Sequence, residues 1–326
     1  MTELTLVEAV RTALARAMEE DDHVVLLGED IGRDGGVFRA TNDLLERFGS
    51  ERVRDTPLSE AVIAGLSVGL AAQHFRPVAE IQFMGFIYPT IDQMVNHASR
   101  LRTRTRGRLS CPMVLRAPYG AGIHAPEHHS ESTEALFCHI PGLRVVIPSS
   151  PARAYGLLLA AIRDPDPVVF LEPKRIYRSS REDIEDDGIA LPLDTGFLLR
   201  RGADVTLIGW GAMIGECLQA ADQLAADKIG CDVIDLATLK PFDAEMVLDS
   251  VARTGRCVIV QEAAVTGGFG SEIAATIAEK GLMTLLAPIR RVAGYDTVVP
   301  MAKLEDHYIP STRRIIGAIR EVMEYS

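Results

Sequence analysis

Paired cysteines are missing from this chain. Its five, Cys111, Cys138, Cys217, Cys231 and Cys257, stand far apart with no CxxC among them. That argues against a zinc site and a disulfide framework, and it fits a reducing, cytoplasmic setting. Long apolar runs are missing too: nothing approaches the roughly 18 consecutive residues a membrane span needs, so no membrane association is expected. The stretch Leu4 to Met18 is amphipathic and carries acids. It has neither the apolar h-region of a signal peptide nor the acid-poor character of a transit peptide. Basic charge is scarce, with 34 Lys plus Arg against 45 Asp plus Glu for a net −11, and no basic block exceeds the one from Arg100 to Arg108. A nucleic-acid partner is excluded on that balance. Neither GxGxxG after a strand nor the P-loop GxxxxGK[ST] occurs, so RDGGVFR at 33–39 and TGGFGSE at 266–272 read as turns or helix starts. Low-complexity tracts and short-period repeats are absent as well.

What is present is alternation. With 326 residues, 47% of them hydrophobic, the chain can build two cores. Short β-branched runs at 23–28, 77–83, 112–118, 143–148 and 167–173 are separated by helical patterns at Leu58 to Gln73, Phe86 to Arg104 and Pro151 to Arg163. Such repetition makes a parallel sheet covered on both faces. The charged, turn-rich stretch 181–203 reads as a linker with one short hairpin. Alternation then resumes with strands at 204–211, 231–239 and 256–263, helices between them, and a closing helix Ser311 to Met323. The expected fold class is α/β, with a parallel-sheet domain at 1–180 and a second, smaller α/β domain at 204–326.

Two places carry possible chemistry. In DTPLSEAVIAGLSVGLA, 55–71, Glu60 opens a helix that is otherwise apolar or small. It is either a charge complementing the helix dipole or an acid held for a task. In GIHAPEHHSES, 122–132, His124, His128 and His129 crowd a loop directly after a parallel strand. Loops at the carboxyl ends of parallel strands are where open α/β sheets bind ligands. Adjacent His128 and His129 suit one metal ion poorly, and general acid/base or substrate-orienting use is the competing reading. Cys138 reads as a small core residue.

GEDIG (28–32), GGVFRAT (35–41), DTPLSE (55–60), AEIQF (79–83), HHSES (128–132) and FLEPKRIYR (170–178) occur in that order. Together they resemble the β subunit of the thiamine-diphosphate-dependent 2-oxoacid dehydrogenases, the decarboxylating first component of the pyruvate and branched-chain oxoacid complexes. The resemblance runs from about Leu4 to Ile316. It implies a pyrimidine-binding parallel-sheet domain followed by a transketolase C-terminal-like domain. It implies oxidative decarboxylation of pyruvate or a branched-chain 2-oxoacid with reductive acylation of lipoamide. The motif that holds the diphosphate through Mg²⁺ in such enzymes, GDG with an Asn about thirty residues on, has no counterpart here. The implied partner is therefore an α subunit that anchors Mg²⁺ and the diphosphate in a heterotetramer of two α and two β. A lipoyl-bearing dihydrolipoamide acyltransferase is the second implied partner.

Residue by residue, the resemblance assigns Glu60 to the cofactor's pyrimidine nitrogen, and Leu58, Gln82 and Phe86 to the lining of that ring. It assigns His129 to the reacting carbon and the incoming lipoyl group. It implies a potassium ion near Cys111, Met113 and Val114 and near Ala161, Asp164 and Asp166, for which a capped helix end plus turn is the plain alternative. Glu29 and Asp92 align with acids of a proton path, or are simply structural carboxylates. The alternative function is a split transketolase-like subunit transferring a ketol unit. A third possibility is a non-enzymatic scaffold that only docks other subunits.

Overall fold

A computed structural model describes residues 2–325. The chain divides into two compact units: the first runs through Tyr119 and resumes at Leu136–Leu193, and the second takes Gly120–Ala135 and everything from Asp194 onward.

The first unit opens with β1 (Thr2–Leu4) and α1 (Leu6–Glu20). Helix α1 starts where the Glu8 carboxylate accepts both the N–H (2.8 Å) and the hydroxyl (2.7 Å) of Thr5. There follow β2 (Val24–Gly28), α2 (Leu44–Phe48), β3 (Val53–Asp55), α3 (Glu60–Ala72), β4 (Arg76–Glu80), α4 (Ile91–Asn96), α5 (Leu101–Arg104) and β5 (Val114–Tyr119). A short α6 (Glu134–Cys138) leads to β6 (Arg144–Val146), α7 (Pro151–Arg163), β7 (Val168–Pro173) and β8 (Glu182–Ile184). Six strands lie parallel in the order β6-β7-β5-β4-β2-β3. Residues of β2, β5 and β7 are buried throughout, as a sheet covered on both faces requires. Helix α7 starts with Pro151 at its first turn and the Ser150 side chain accepting the Arg153 N–H, and it packs on α1.

Two expectations differ from the structure. The helix expected over Phe86 to Arg104 is broken into 3₁₀ turns, α4 and α5. Pro89 removes a donor from the first part, and His97 leaves helical geometry at φ −121°, ψ −65°. The short hairpin expected within 181–203 does not form: β8 pairs antiparallel with β1, while β9 (Phe197–Arg200) pairs with a strand of the second unit's own sheet.

That second unit continues with β10 (Val205–Gly209), α8 (Met213–Ala225), β11 (Cys231–Asp235), β12 (Thr238–Lys240), α9 (Ala244–Thr254), β13 (Cys257–Ala264), α10 (Gly270–Gly281), β14 (Arg290–Gly294), α11 (Ala302–Tyr308) and α12 (Thr312–Met323). Its sheet has the order β14-β13-β10-β11-β9, with only β9 antiparallel. Ser311 caps α12, whose Ile315, Ile319 and Val322 are buried at the i, i+4, i+7 spacing of a one-sided helix. All five cysteines are free and buried. Burial, with Asp166 adding to it, pushes the Cys111 thiol up to about 12. Among the described residues, no helix is long and apolar enough to cross a membrane.

Candidate active site

The chain leaves β2 toward β3 on one side and later returns to place β4 on the other side of β2. The strand order reverses there, and the carboxyl ends of such strands open a crevice. Three expected site residues come from those ends: Glu29 directly after β2, Glu60 as the first residue of the helix after β3, and Gln82 just past β4. Gly28 makes the close approach possible, since a Cβ on it would sit 2.8 Å from Ile31 and 3.0 Å from the Glu80 carbonyl. The loop beyond Glu29 is tied down by Asp55, which accepts the N–H groups of Gly32 (2.6 Å) and Arg33 (3.2 Å). Gln82 Nε2 lies 3.5 Å from Asp30 Oδ2.

Glu29 is 8% exposed, and its Oε1 has no hydrogen-bond partner among the described residues. Burial raises its pKa above the ordinary carboxyl value, the charges of Glu60 and Asp30 raise it further, and the Ser59 N–H acts in the opposite direction. The structure thus brings Glu29 and Glu60 together as a repelling pair. This has a consequence for stability. Between the ordinary carboxyl range and the raised value, the folded state binds more protons than the unfolded chain, so stability falls as pH rises through that window. Glu29→Gln keeps an acceptor for Ser59 and removes the repulsion. It is expected to raise the denaturant midpoint at pH 7, with the gain vanishing near pH 4, as paired urea titrations at the two pH values would register.

Around this crevice stand aromatic rings. Phe86 meets Phe83 edge-on at 5.9 Å, and Phe83 meets Phe38 at 5.4 Å. Leu58 is 82% exposed. Val62 and Leu66 on α3 are exposed as well.

Beneath the crevice lies a group that sequence reasoning missed. Arg116 on β5 donates from Nε to Glu172 Oε1 (2.7 Å) and from Nη2 to Glu172 Oε2 (2.8 Å), and it also donates to Glu80. The Tyr177 hydroxyl donates to Glu172 Oε2 at 2.6 Å. All four residues are buried. Burial pushes the Glu80 carboxyl up and Arg116 pulls it down. Gly36, at φ +76°, lets the glycine-rich loop settle against this group, because a Cβ there would lie 2.9 Å from Glu80 Oε1. The signal is present in the sequence as single charges inside otherwise apolar strands, in PVAEIQF, PMVLRAP and PVVFLEP.

His129 belongs to the other unit, in the 120–135 loop, where it is half-buried and its N–H donates to the Pro126 carbonyl at 2.9 Å. Buried carboxylates of that unit hold the loop. Glu305 on α11 accepts the N–H groups of Gly122 (2.8 Å) and His124 (2.9 Å), with the His124 ring 3.6 Å away. Glu262 on β13 accepts the Ala121 N–H and the Ser132 hydroxyl. Trp210 donates to Glu134 Oε1 at 3.3 Å. Backbone N–H groups accepted by buried carboxylates fix a loop firmly.

The remaining expected residues fall elsewhere. Asp92 is exposed on α4 and accepts from Asn96 (2.7 Å) and Gln93 (3.1 Å). The 111–114 and 161–166 segments do meet, through the Cys111 N–H on the Pro165 carbonyl (3.2 Å) and the Val168 N–H on the Met113 carbonyl (3.0 Å). Both acids there face arginines, Asp166 with Arg102 at 2.7 Å and Asp164 with Arg144 at 3.2 Å. Among the described residues, no three His, Cys, Asp or Glu side chains gather as a metal site.

A parallel-sheet unit followed by a second α/β unit is the architecture of a transketolase-type chain. Family models agree in extent: the transketolase pyrimidine-binding domain matches residues 2–180, and the transketolase C-terminal domain matches 195–315. The particular family follows from the curated relatives, and the chain belongs to the β subunits of the 2-oxoacid dehydrogenases. It is 48% identical over 323 residues to the 2-oxoisovalerate dehydrogenase subunit beta 2, mitochondrial, of Arabidopsis thaliana, covering 99% of this chain and 90% of that protein. It is 42% identical to the pyruvate dehydrogenase E1 component subunit beta of Bacillus subtilis (strain 168) over 325 residues and the full length of both. A solved split-gene transketolase, an inactive beta4 tetramer, shares the fold with a TM-score of 0.83, 24% identity and 99% coverage of each chain. The dehydrogenase reading therefore holds over the ketol-transfer alternative.

Proposed function

We propose that this chain acts with an α subunit, in a tetramer of two α and two β, to decarboxylate pyruvate or a branched-chain 2-oxoacid oxidatively and pass the acyl group to lipoamide on an acyltransferase. The observation that carries it is the buried Glu29 carboxylate, unpartnered at Oε1 and facing Glu60 where the sheet reverses order. Thiamine diphosphate fits this place: Glu60 would meet its pyrimidine nitrogen, with Phe86, Gln82 and Leu58 along the ring. When bound it supplies the electron sink for decarboxylation. Glu60's part is to hold a hydrogen bond to a ring nitrogen in one fixed direction, since its backbone is locked as the first residue of α3. Glu29, its carboxyl raised by burial and by the charges of Glu60 and Asp30, would take up or release a proton beside Glu60. Phe86 offers a ring face backed by Phe83. His129, on a loop fixed by Glu262 and Glu305, would move a proton at the substrate and guide the lipoyl arm.

The α subunit would supply the Mg²⁺ and diphosphate site and cover Leu58, Val62 and Leu66, whose exposure favours a covering partner. Asp92 would extend the proton path from Glu29. Potassium, where bound, would take backbone oxygens around Cys111, Met113, Val114 and Ala161, because arginines already engage Asp164 and Asp166. Five buried free thiols support a cytoplasmic setting.

The test is calorimetry of the full chain with thiamine diphosphate and Mg²⁺, without and with its α subunit, followed by turnover of a small panel of 2-oxoacids with lipoylated acceptor. Saturable binding and turnover are expected only with both chains. Tight Mg²⁺-dependent binding by this chain alone would overturn the split site.

A further inference from the structure

A cavity of about 240 Å³ in the first unit is lined by Arg11, Arg39, Arg178 and Arg181 with one acid, Glu8. In a protein of net charge −11 such a concentration of cations is uncommon, and the way the guanidinium groups are held gives it direction. Arg178 Nη2 donates to the Phe38 carbonyl at 2.8 Å. Arg39 Nη1 donates to the carbonyls of Asp34 and Gly36. Carbonyl oxygens orient a guanidinium without neutralising it, and neither arginine faces a carboxylate among the described residues. Arg11 is 4.0 Å from Asp43, at the limit of pairing, and the Asp43 side chain is 64% exposed. Arg181 meets Glu8 at 3.2 Å, and Arg11 acts on the same carboxylate through its charge, so one acid that already accepts the Thr5 N–H and hydroxyl is shared between two of the four arginines. Several oriented forks with little compensating charge match the oxygens of a phosphoryl group.

We propose that this cavity binds a small phosphate monoester. A bare phosphate leaves part of 240 Å³ unfilled, and Val7 and Phe38 give the cavity an apolar side for an organic moiety. The phosphoryl oxygens take the unused N–H groups of Arg178 and Arg39, while Arg11 and Arg181 supply the field. Both anchoring arginines hold carbonyls of the 34–38 stretch, so an occupied cavity stiffens the loop that carries Phe38 against Phe83.

The experiment is calorimetric titration of the full chain with glycerol 3-phosphate and with inorganic phosphate, at ionic strength held constant with sodium chloride. Hydrogen exchange of residues 33–41 is followed in parallel. Saturable one-site binding of the monoester, at least as tight as inorganic phosphate, with slower exchange in 33–41, is the expected result. Arg178→Ala is expected to weaken it at least about tenfold, the scale of one charge-assisted hydrogen bond. Arg11→Gln, which releases no backbone contact, keeps the test decisive if Arg178→Ala fails to fold, and it should weaken binding about threefold or more, as loss of a nearby charge does. The proposal is overturned by the absence of saturable heat, by binding of inorganic phosphate alone, or by equal affinity in the folded variants.

Discussion

Glu60→Gln, assayed in the complex with the α subunit, is expected to lower kcat by about 10²- to 10⁴-fold, the range that a positioned proton-handling group contributes. The fold should not change. Glu60 is only half-buried, and its place at the first turn of α3 tolerates an amide. Lost rate and kept stability must therefore separate: the thermal midpoint should move by less than about 2 °C, which for a domain of this size is under about 1 kcal/mol. The amide can still donate to a ring nitrogen, but it cannot take up or release a proton. Binding of cofactor should survive better than turnover, and an effect confined to a raised cofactor Kd would point to packing in place of proton handling. Full activity in the variant would remove Glu60 from the chemistry. Glu29→Gln serves as the companion measurement, because its gain in stability at pH 7 comes from the same repulsion.

Much of the fold is legible in the amino-acid order alone. Hydrophobic runs locate the sheets, because fully buried parallel strands are largely apolar: β2 is wholly so, and β5 and β7 are interrupted by one charge each, Arg116 and Glu172. The helix Pro151 to Arg163 is legible to the residue, since Ser150 and Pro151 mark its start chemically. Segments whose form depends on remote partners are not legible. β1 and β8 are three-residue strands that exist by pairing with each other across about 180 positions, which no local window can show. The 86–104 region has helical composition, yet it breaks at Pro89 and His97. For the site, Glu60 stands out in the sequence as one acid opening an apolar helix, but its coupling to Glu29 does not. Residues 29 and 60 meet because β2 and β3 are neighbours. The supports of the histidine loop, Glu262 and Glu305, lie further still along the chain. Arg116 is hidden in a strand that looks like core.

That arginine supports the prediction with the largest effect on stability. Arg116→Met is expected to destabilise the protein by about 3–5 kcal/mol, because removing one member of a buried ion cluster leaves the opposite charges uncompensated. Here two carboxylates are left, Glu80 and Glu172, each at most 5% exposed. Methionine fills much of the space but offers no donors. In the native protein Arg116 opposes the burial that pushes Glu80 up. Without it Glu80 would favour its protonated form in the fold more strongly. A folded-state carboxyl held above its unfolded pKa adds stability as pH falls, so the variant's deficit relative to the parent should shrink between pH 7 and pH 5. Urea titrations followed by far-UV circular dichroism at the two pH values measure both effects. The triple change Glu80→Gln, Arg116→Met, Glu172→Gln separates charge from shape. If loss of compensation is the cause, it should be more stable at pH 7 than Arg116→Met alone, even though it has lost three native side chains. If instead the triple variant is weaker still, the guanidinium contributes mainly by its geometry, bridging β4, β5 and β7 through Glu80 and Glu172. In that case Gly36 and its loop, seated against Glu80, should lose order first, visible as faster hydrogen exchange over 33–41.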